Sequence, residues 1–274
     1  MSSGTRRALP GFRLTLAVTL LYLALLVGLP LSAIGIKAAS LSLDQFWSTV
    51  WTERTRAAYA LTFGSAALAA FIDVALGLLV AWVLVRYEFP LKRLLDSLID
   101  LPLALPTAVA GLVYSSLYVP SGWLGQYLAP FGIQAAYSRL AIVLVLTFIG
   151  LPFVVRALQP VIESFDPEVE EAAACLGATR AQTFRRIILP TLYPAVITGF
   201  ALAFARGLGE YGSIVFVSGN MPYKTEIAPV LVAARLEEFA YGEATAIALV
   251  LLVASLVMLA IINLLERWSH AHAA

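Results

Sequence analysis

Reactive side chains are scarce in this chain, and each shortage excludes a class of function. The single cysteine, Cys175, cannot form an intrachain disulfide, and the two histidines, His270 and His272, sit together near the C-terminus. No cluster with metal-ligand spacing results. There are three lysines and none follows a glycine, so no G-x-x-x-x-G-K-[ST] phosphate loop exists; G-x-S-x-G and H-E-x-x-H are missing too. No catalytic residue is nominated on these grounds. Charge is also thin, at 13% of residues, with 18 Lys and Arg against 17 Asp and Glu. A net charge of +1 supplies no field for nucleic acid. What is abundant is apolar: 61% of residues are hydrophobic and the mean hydropathy is +0.87, the composition of an integral membrane protein. With no internal repeat or low-complexity tract, residues 1–274 read as one all-α membrane domain.

Uncharged runs of membrane-spanning length predict six helices, near 14–36, 57–85, 97–119, 139–158, 191–217 and 241–265. Pro30, Pro102, Pro106, Gly111, Pro152, Gly199 and Gly207 fall inside them and are read as bends, because neighbouring helices can satisfy freed backbone groups. Arg6, Arg7, Arg13, Arg86, Lys92, Arg93, Arg156, Arg180, Arg185, Arg186 and Arg267 fall in alternate segments and outnumber those opposite (Lys37, Arg54, Arg56, Arg139, Lys224, Arg235). The positive-inside rule then places both termini in the cytoplasm. The first apolar run is too long for a cleavable signal and reads as a retained anchor. Ser42 and Gln45 have capping-box spacing ahead of Phe46, Trp47, Val50 and Trp51, which predicts an interfacial helix on the outer side.

The loop 159–190 is the longest cytoplasmic connection. Asp166 and Pro167 make an N-cap and first-turn proline, followed by Glu168, Glu170 and Glu171 where the helix dipole favours acids. Gly177 is placed to close that helix, and Thr179 with Gln182 opens a second one, ending before Pro190 starts the next span. Capping alone predicts a helix–turn–helix knuckle, which an ordinary loop would also show.

The spacing Glu171-Ala172-Ala173, Gly177, Ile187, Leu189-Pro190 resembles the EAA signature of ATP-binding-cassette (ABC) importer permeases. That resemblance implies a type I importer permease fold and a coupling helix that docks on a cytoplasmic ATPase, with Ala172 and Ala173 allowing close approach and Glu171 meeting a basic group. Phe204 to Ser213, then Ser218-Gly219-Asn220-Met221-Pro222, with Leu103-x-x-Pro106-Thr107-Ala108-Val109-Ala110-Gly111, is similar to permeases of the sulfate, thiosulfate and molybdate importers. The Tyr211-Gly212-Ser213 and Gly219-to-Pro222 forms look most like the sulfate/thiosulfate (CysT-type) group. The resemblance implies a multi-pass subunit of the bacterial inner membrane, embedded in lipid, forming half of a translocation pathway. Its implied partners are a second homologous permease, two ABC ATPases holding ATP and Mg, and an extracytoplasmic sulfate/thiosulfate-binding protein; this chain itself would bind no cofactor. A molybdate or tungstate permease is the alternative within the group, and an ion-coupled carrier the alternative outside it.

Arg206 and Glu210 are one helical turn apart, and intramembrane charge marks either a pathway or gate or an interhelical network in which Asp73 is a candidate third member. Tyr211, Ser213, Ser218 and Asn220 are candidate lining groups for a weak, hydroxyl-bearing anion path, and each equally suits a helix cap.

Overall fold

The computed structural model describes the backbone of residues 12–273 and the side chains of residues 12 and 14–264. Arg6 and Arg7, the side chains of Arg13 and Arg267, and both histidine side chains lie outside the described residues. The described chain is helical throughout its regular structure. In order come α1 (Phe12–Leu23), a π turn (Ala24–Gly28), α2 (Leu29–Ala38), α3 (Leu43–Val50), α4 (Glu53–Arg86), α5 (Lys92–Ile99), α6 (Leu101–Ala104), α7 (Thr107–Tyr118) and α8 (Gly125–Leu128). The 3₁₀ turn Ala129–Phe131, α9 (Arg139–Glu163), α10 (Pro167–Cys175), α11 (Arg180–Thr183) and a π turn (Phe184–Ile188) follow. The chain ends with α12 (Leu189–Leu208), α13 (Ile214–Val217), α14 (Ala228–Glu237) and α15 (Tyr241–Ala273).

Five helical stretches are long and apolar enough to cross a membrane: Leu14–Ala38, Glu53–Arg86, Arg139–Glu163, Arg180–Leu208 and Tyr241–Leu264. The predicted span 97–119 is segmented instead. Leu105, constrained by the following Pro106, takes an extended ψ of 130°, and the helix restarts only at Thr107. The prolines here break the helix, whereas Pro152 and Pro160 in α9 and Pro194 in α12 leave theirs continuous. The predicted span 191–217 also differs: α12 stops at Leu208, and α13 is a separate short helix.

The core is the packing of α4, α9 and α12 on one another. Ala66, Ala69, Ala70 and Ala81 of α4 meet Ile142, Val145, Ile149, Val155 and Leu158 of α9, all buried. Small residues set the helix separation, since lipid tails are as apolar as Leu and association depends on close contact. A Cβ on Gly77 would lie 2.7 Å from Val154 Cγ1, and one on Gly199 3.1 Å from Val154 Cα. By contrast the membrane-spanning window of Leu14–Ala38 is unburied; α2 packs along α15, leaving leucines outward. α3 carries the capping box expected at Ser42 and Gln45, with Phe46 and Trp47 in edge-on contact.

Candidate functional site

The knuckle is built by its caps. Asp166 accepts the Glu168 amide at 2.9 Å, and Pro167 occupies the first turn of α10. At the other end Gly177 has φ 81°, donating its amide to Ala174 O at 2.9 Å, while the Ala178 amide donates to Ala173 O at 3.0 Å. These two bonds form the Schellman closure that a residue in the left-handed region permits. Thr179 and Gln182 then form a reciprocal capping box that opens α11.

The second arm is not a separate helix. From Arg180 it runs through the π turn into α12 as one apolar stretch to Leu208. Pro190 has no N–H to continue the regular ladder, and the Leu189 amide reaches back five residues to Phe184 O. Ile187 and Leu189 are half-buried along this arm, and Pro190 is exposed.

The signature residues divide by face. Glu171 and Ala172 are exposed, and Leu176 at the tip is 89% exposed, the most exposed of the large apolar side chains among the described residues. Ala173 points the other way and is buried, so of the two alanines only Ala172 offers close approach from outside.

The inward side of the knuckle grips the end of α4. Arg86, the last residue of α4, ion-pairs with Glu170, and its guanidinium lies over Trp82 at 4.9 Å and Phe165 at 5.8 Å. Trp82 meets Phe184 edge-on at 5.8 Å. A cavity of about 840 Å³ lies beside this contact, walled by Leu78, Trp82 and Phe184 with Glu171 and Arg180 also lining it. Nearby, Arg156 of α9 binds Asp100 at 2.6 Å and Asp96 at 2.7 Å, and Gln159 donates to Asp96 at 3.1 Å. The Gln159 amide and then the Arg156 guanidinium hold the Asp96 carboxyl below its ordinary value against the opposing effect of desolvation. This network ties α5 to α9.

At the opposite end of α12 the second constellation assembles. Arg206 Nη1 lies 2.7 Å from Glu210 Oε2; the Arg206 side chain is 31% exposed and that of Glu210 is buried. The other Glu210 oxygen accepts the Ser213 amide at 2.8 Å and the Ser213 hydroxyl at 2.9 Å. Glu210 thus shapes the turn between α12 and α13. Ser218 and Ser213 are fully buried. Ser218 donates to Asn220 Oδ1 at 2.7 Å, and Asn220 Nδ2 donates to Val215 O at 2.8 Å, holding Asn220 at φ 48°. Tyr211 is exposed and lines an apolar cavity with Leu208, Pro229, Val232 and Leu236. Asp73 does not join Arg206: both its carboxylate oxygens are buried without a hydrogen-bond partner, close against Gly150.

α7 supports this turn directly. Gly111 abuts the Ser213 backbone, Gly212 abuts Thr107, and the Ser115 hydroxyl donates to Phe216 O at 2.7 Å. The segments Pro106-to-Gly111 and Gly209-to-Ser218, about 100 residues apart in sequence, are therefore one packed unit.

The model of the binding-protein-dependent transport system inner membrane component matches residues 73–272, from the middle of α4 through the knuckle and the Arg206 turn to α15. This chain belongs to that family. As a family member it is a multi-pass inner-membrane transport subunit. The permease is 51% identical over 256 residues to a protein named sulfate transport system permease protein CysT in Synechocystis, covering 93% of this chain and 90% of that one. It is 48% identical over 266 residues to the protein of that name in Salmonella typhimurium, covering 97% and 96%. Its fold matches a crystal structure of a bacterial ABC transporter involved in the import of the acidic polysaccharide alginate, with TM-score 0.76 and 19% identity over 93% of this chain and 94% of that one.

Arg86, Trp82, Glu170 and Phe184 were invisible as a group in the sequence. Arg86 and Glu170 are 84 positions apart, and only the Trp82–Arg86 spacing of one helical turn hints at a stacked pair.

Proposed function

We propose that this chain is a permease subunit of an ATP-driven sulfate/thiosulfate importer, forming half of the translocation pathway. The observation that carries the reading is the capped, outward-facing knuckle in a chain about half identical, over nearly its whole length, to proteins named sulfate permeases. In this reading Glu171, Ala172 and Leu176 dock on a cytoplasmic ATPase, with Gly177 fixing the turn and Ala173, Ile187, Leu189 and Pro190 setting the arm behind it. ATP and Mg reside in two ATPase subunits and none in this chain. A second, homologous permease completes the pathway, and an extracytoplasmic binding protein delivers the anion, as the alginate transporter engages its pentasaccharide-bound periplasmic protein.

ATP binding closes the ATPase pair, moves the knuckle as a body and opens the pathway outward; hydrolysis resets it. Arg206, partly exposed, and Tyr211, exposed, face the passing anion, while Glu210, Ser213, Ser218 and Asn220 hold their loop in shape. A dianion meets one partly neutralised arginine there, which suits transit better than retention. The test is uptake of labelled sulfate, thiosulfate and molybdate by proteoliposomes carrying both permeases, the ATPase and the binding protein. ATP-dependent sulfate or thiosulfate uptake is expected. Preference for molybdate overturns the substrate assignment, and uptake that persists without the ATPase overturns the coupling.

A further inference from the structure

The knuckle is joined by the chain itself to α9 at one end and to α12 at the other. α4, the third member of the core, has no such covalent connection and reaches the knuckle only through side chains. We propose that Arg86 is the positioning residue that delivers knuckle movement to α4. The proposal rests on the reading of the knuckle as the ATPase-docking element and adds a route within this chain.

Four observations carry it. Arg86 ends α4 and pairs with Glu170, a residue on the inward side of α10, whereas its neighbour Glu171 is exposed. The same guanidinium is layered on Trp82 of α4 and Phe165 of the hinge between α9 and α10, so it touches three pieces of structure at once. Its Nε is buried and makes no hydrogen bond, which means that packing of the flat group, and not full hydrogen bonding, fixes its position. Finally, Trp82 carries the contact across to Phe184, in the π turn that connects the knuckle to α12. Arg86 and Trp82 thus connect α4 to both arms of the knuckle.

An ion pair that is only partly exposed, stacked on two rings, resists separation better than a free surface pair. Moving α10 therefore pulls the end of α4 with it. Without this link α4 would follow α9 and α12 only through the core packing farther along the helix, with no ion pair at its end to the knuckle.

The test uses the full transporter in proteoliposomes with ATPase, second permease and binding protein. R86E and E170R are each expected to raise the ATP hydrolysed per anion imported several-fold above wild type. The exchanged pair R86E/E170R should recover part of that ratio, because it restores the ion pair without the stacking on Trp82 and Phe165. E170Q, which keeps the size of the side chain and removes its charge, should raise the ratio in the same direction and serves where a reversal fails to assemble. An unchanged ratio in E170Q, or an assembled exchanged pair no better coupled than the single variants, overturns the proposal. If wild-type protein shows no ATP-dependent uptake, the functional reading fails first, which is a distinguishable outcome.

Discussion

Gly177 separates a turn that is required from one that is merely tolerated. Its φ of 81° is costly for any residue with a Cβ, about 1–2 kcal/mol. Nothing lies within 4 Å of a Cβ placed there, so the cost is conformational and no neighbour has to move. The closure it opposes rests on two backbone hydrogen bonds, from Gly177 to Ala174 and from Ala178 to Ala173, each worth about 0.5–1.5 kcal/mol net. The two quantities are comparable. Gly177→Ala should therefore reduce the ratio of closed to open knuckle by a factor of about 5–30. Apparent ATPase affinity falls with the population of the competent form. Asn tolerates the left-handed region and Val, being β-branched, suits it least, so affinity should rank Gly, Asn, Ala, Val. The assay is titration of purified ATPase against permease in nanodiscs, with thermal melting to establish that the membrane core is intact. Equal affinities for the Asn, Ala and Val variants would refute the reasoning, because a steric or purely local effect would not follow backbone preference.

Three further outcomes test the packing and the charges. Gly111→Ala drives a methyl into the Ser213 backbone, so it should destabilise by about 1–3 kcal/mol, the overpacking range, and lower the melting temperature in detergent, while Gly209→Ala, with open space around it, should cost much less. Arg206→Ala leaves Glu210 buried with Ser213 as its remaining donor; breaking a buried pair costs about 3–5 kcal/mol, and the one-third exposure of Arg206 brings the expectation below that, to be read as reduced thermal stability that Arg206→Ala/Glu210→Gln partly restores. The lowered pKa of Asp96 gives a stabilising contribution present above its unfolded value of about 3.9 and lost as pH falls through the lower folded value. The protection of α5 amides, with the pH dependence of the intrinsic exchange rate divided out, should accordingly fall below about pH 4, and Asp96→Asn should weaken that pH dependence.

What was legible in the sequence was local. Asp166, Gly177 and the Thr179–Gln182 box act within a few residues of themselves, so composition and spacing predict their bonds, and the structure contains each of them. The same reasoning failed at 97–119, where hydropathy measures only whether a segment is apolar and is blind to whether its backbone is continuous. The extended Leu105 before Pro106 decides that, and the segment beyond it, α7, packs on the Glu210 turn through Gly111. Ser213 and Ser218 show the complementary limit: a hydroxyl suits a pathway wall and a loop brace equally well, and only burial distinguishes them. Pairs far apart in sequence, such as Arg86 with Glu170, leave no periodic trace at all.

These placements bear on how an event at the inner end reaches the outer one. The stretch Arg180–Leu208 is 29 residues of continuous helix, about 43 Å at 1.5 Å per residue, and it begins beside the knuckle and ends at Arg206. Its irregular features, the π turn, Pro190 and Pro194, all precede Ala195, while the part from Ala195 to Leu208 is regular and its buried face, with Gly199, Ala203, Phe204 and Gly207, packs on α4 and α9. A rod of that length tilted by about 5° moves its far end by about 4 Å. That exceeds the length of the Arg206–Glu210 contact, 2.7 Å, and of the Ser213 bonds that hold the turn. The outer turn must then either travel with α12 or part from it. Since α7 touches that turn at backbone distance through Gly111, travelling together means that α7 moves as well. The break at Leu105–Pro106 separates α7 from α5, which the Arg156 network anchors to α9, and α7 meets α9 on its own account through Tyr114 and Phe148.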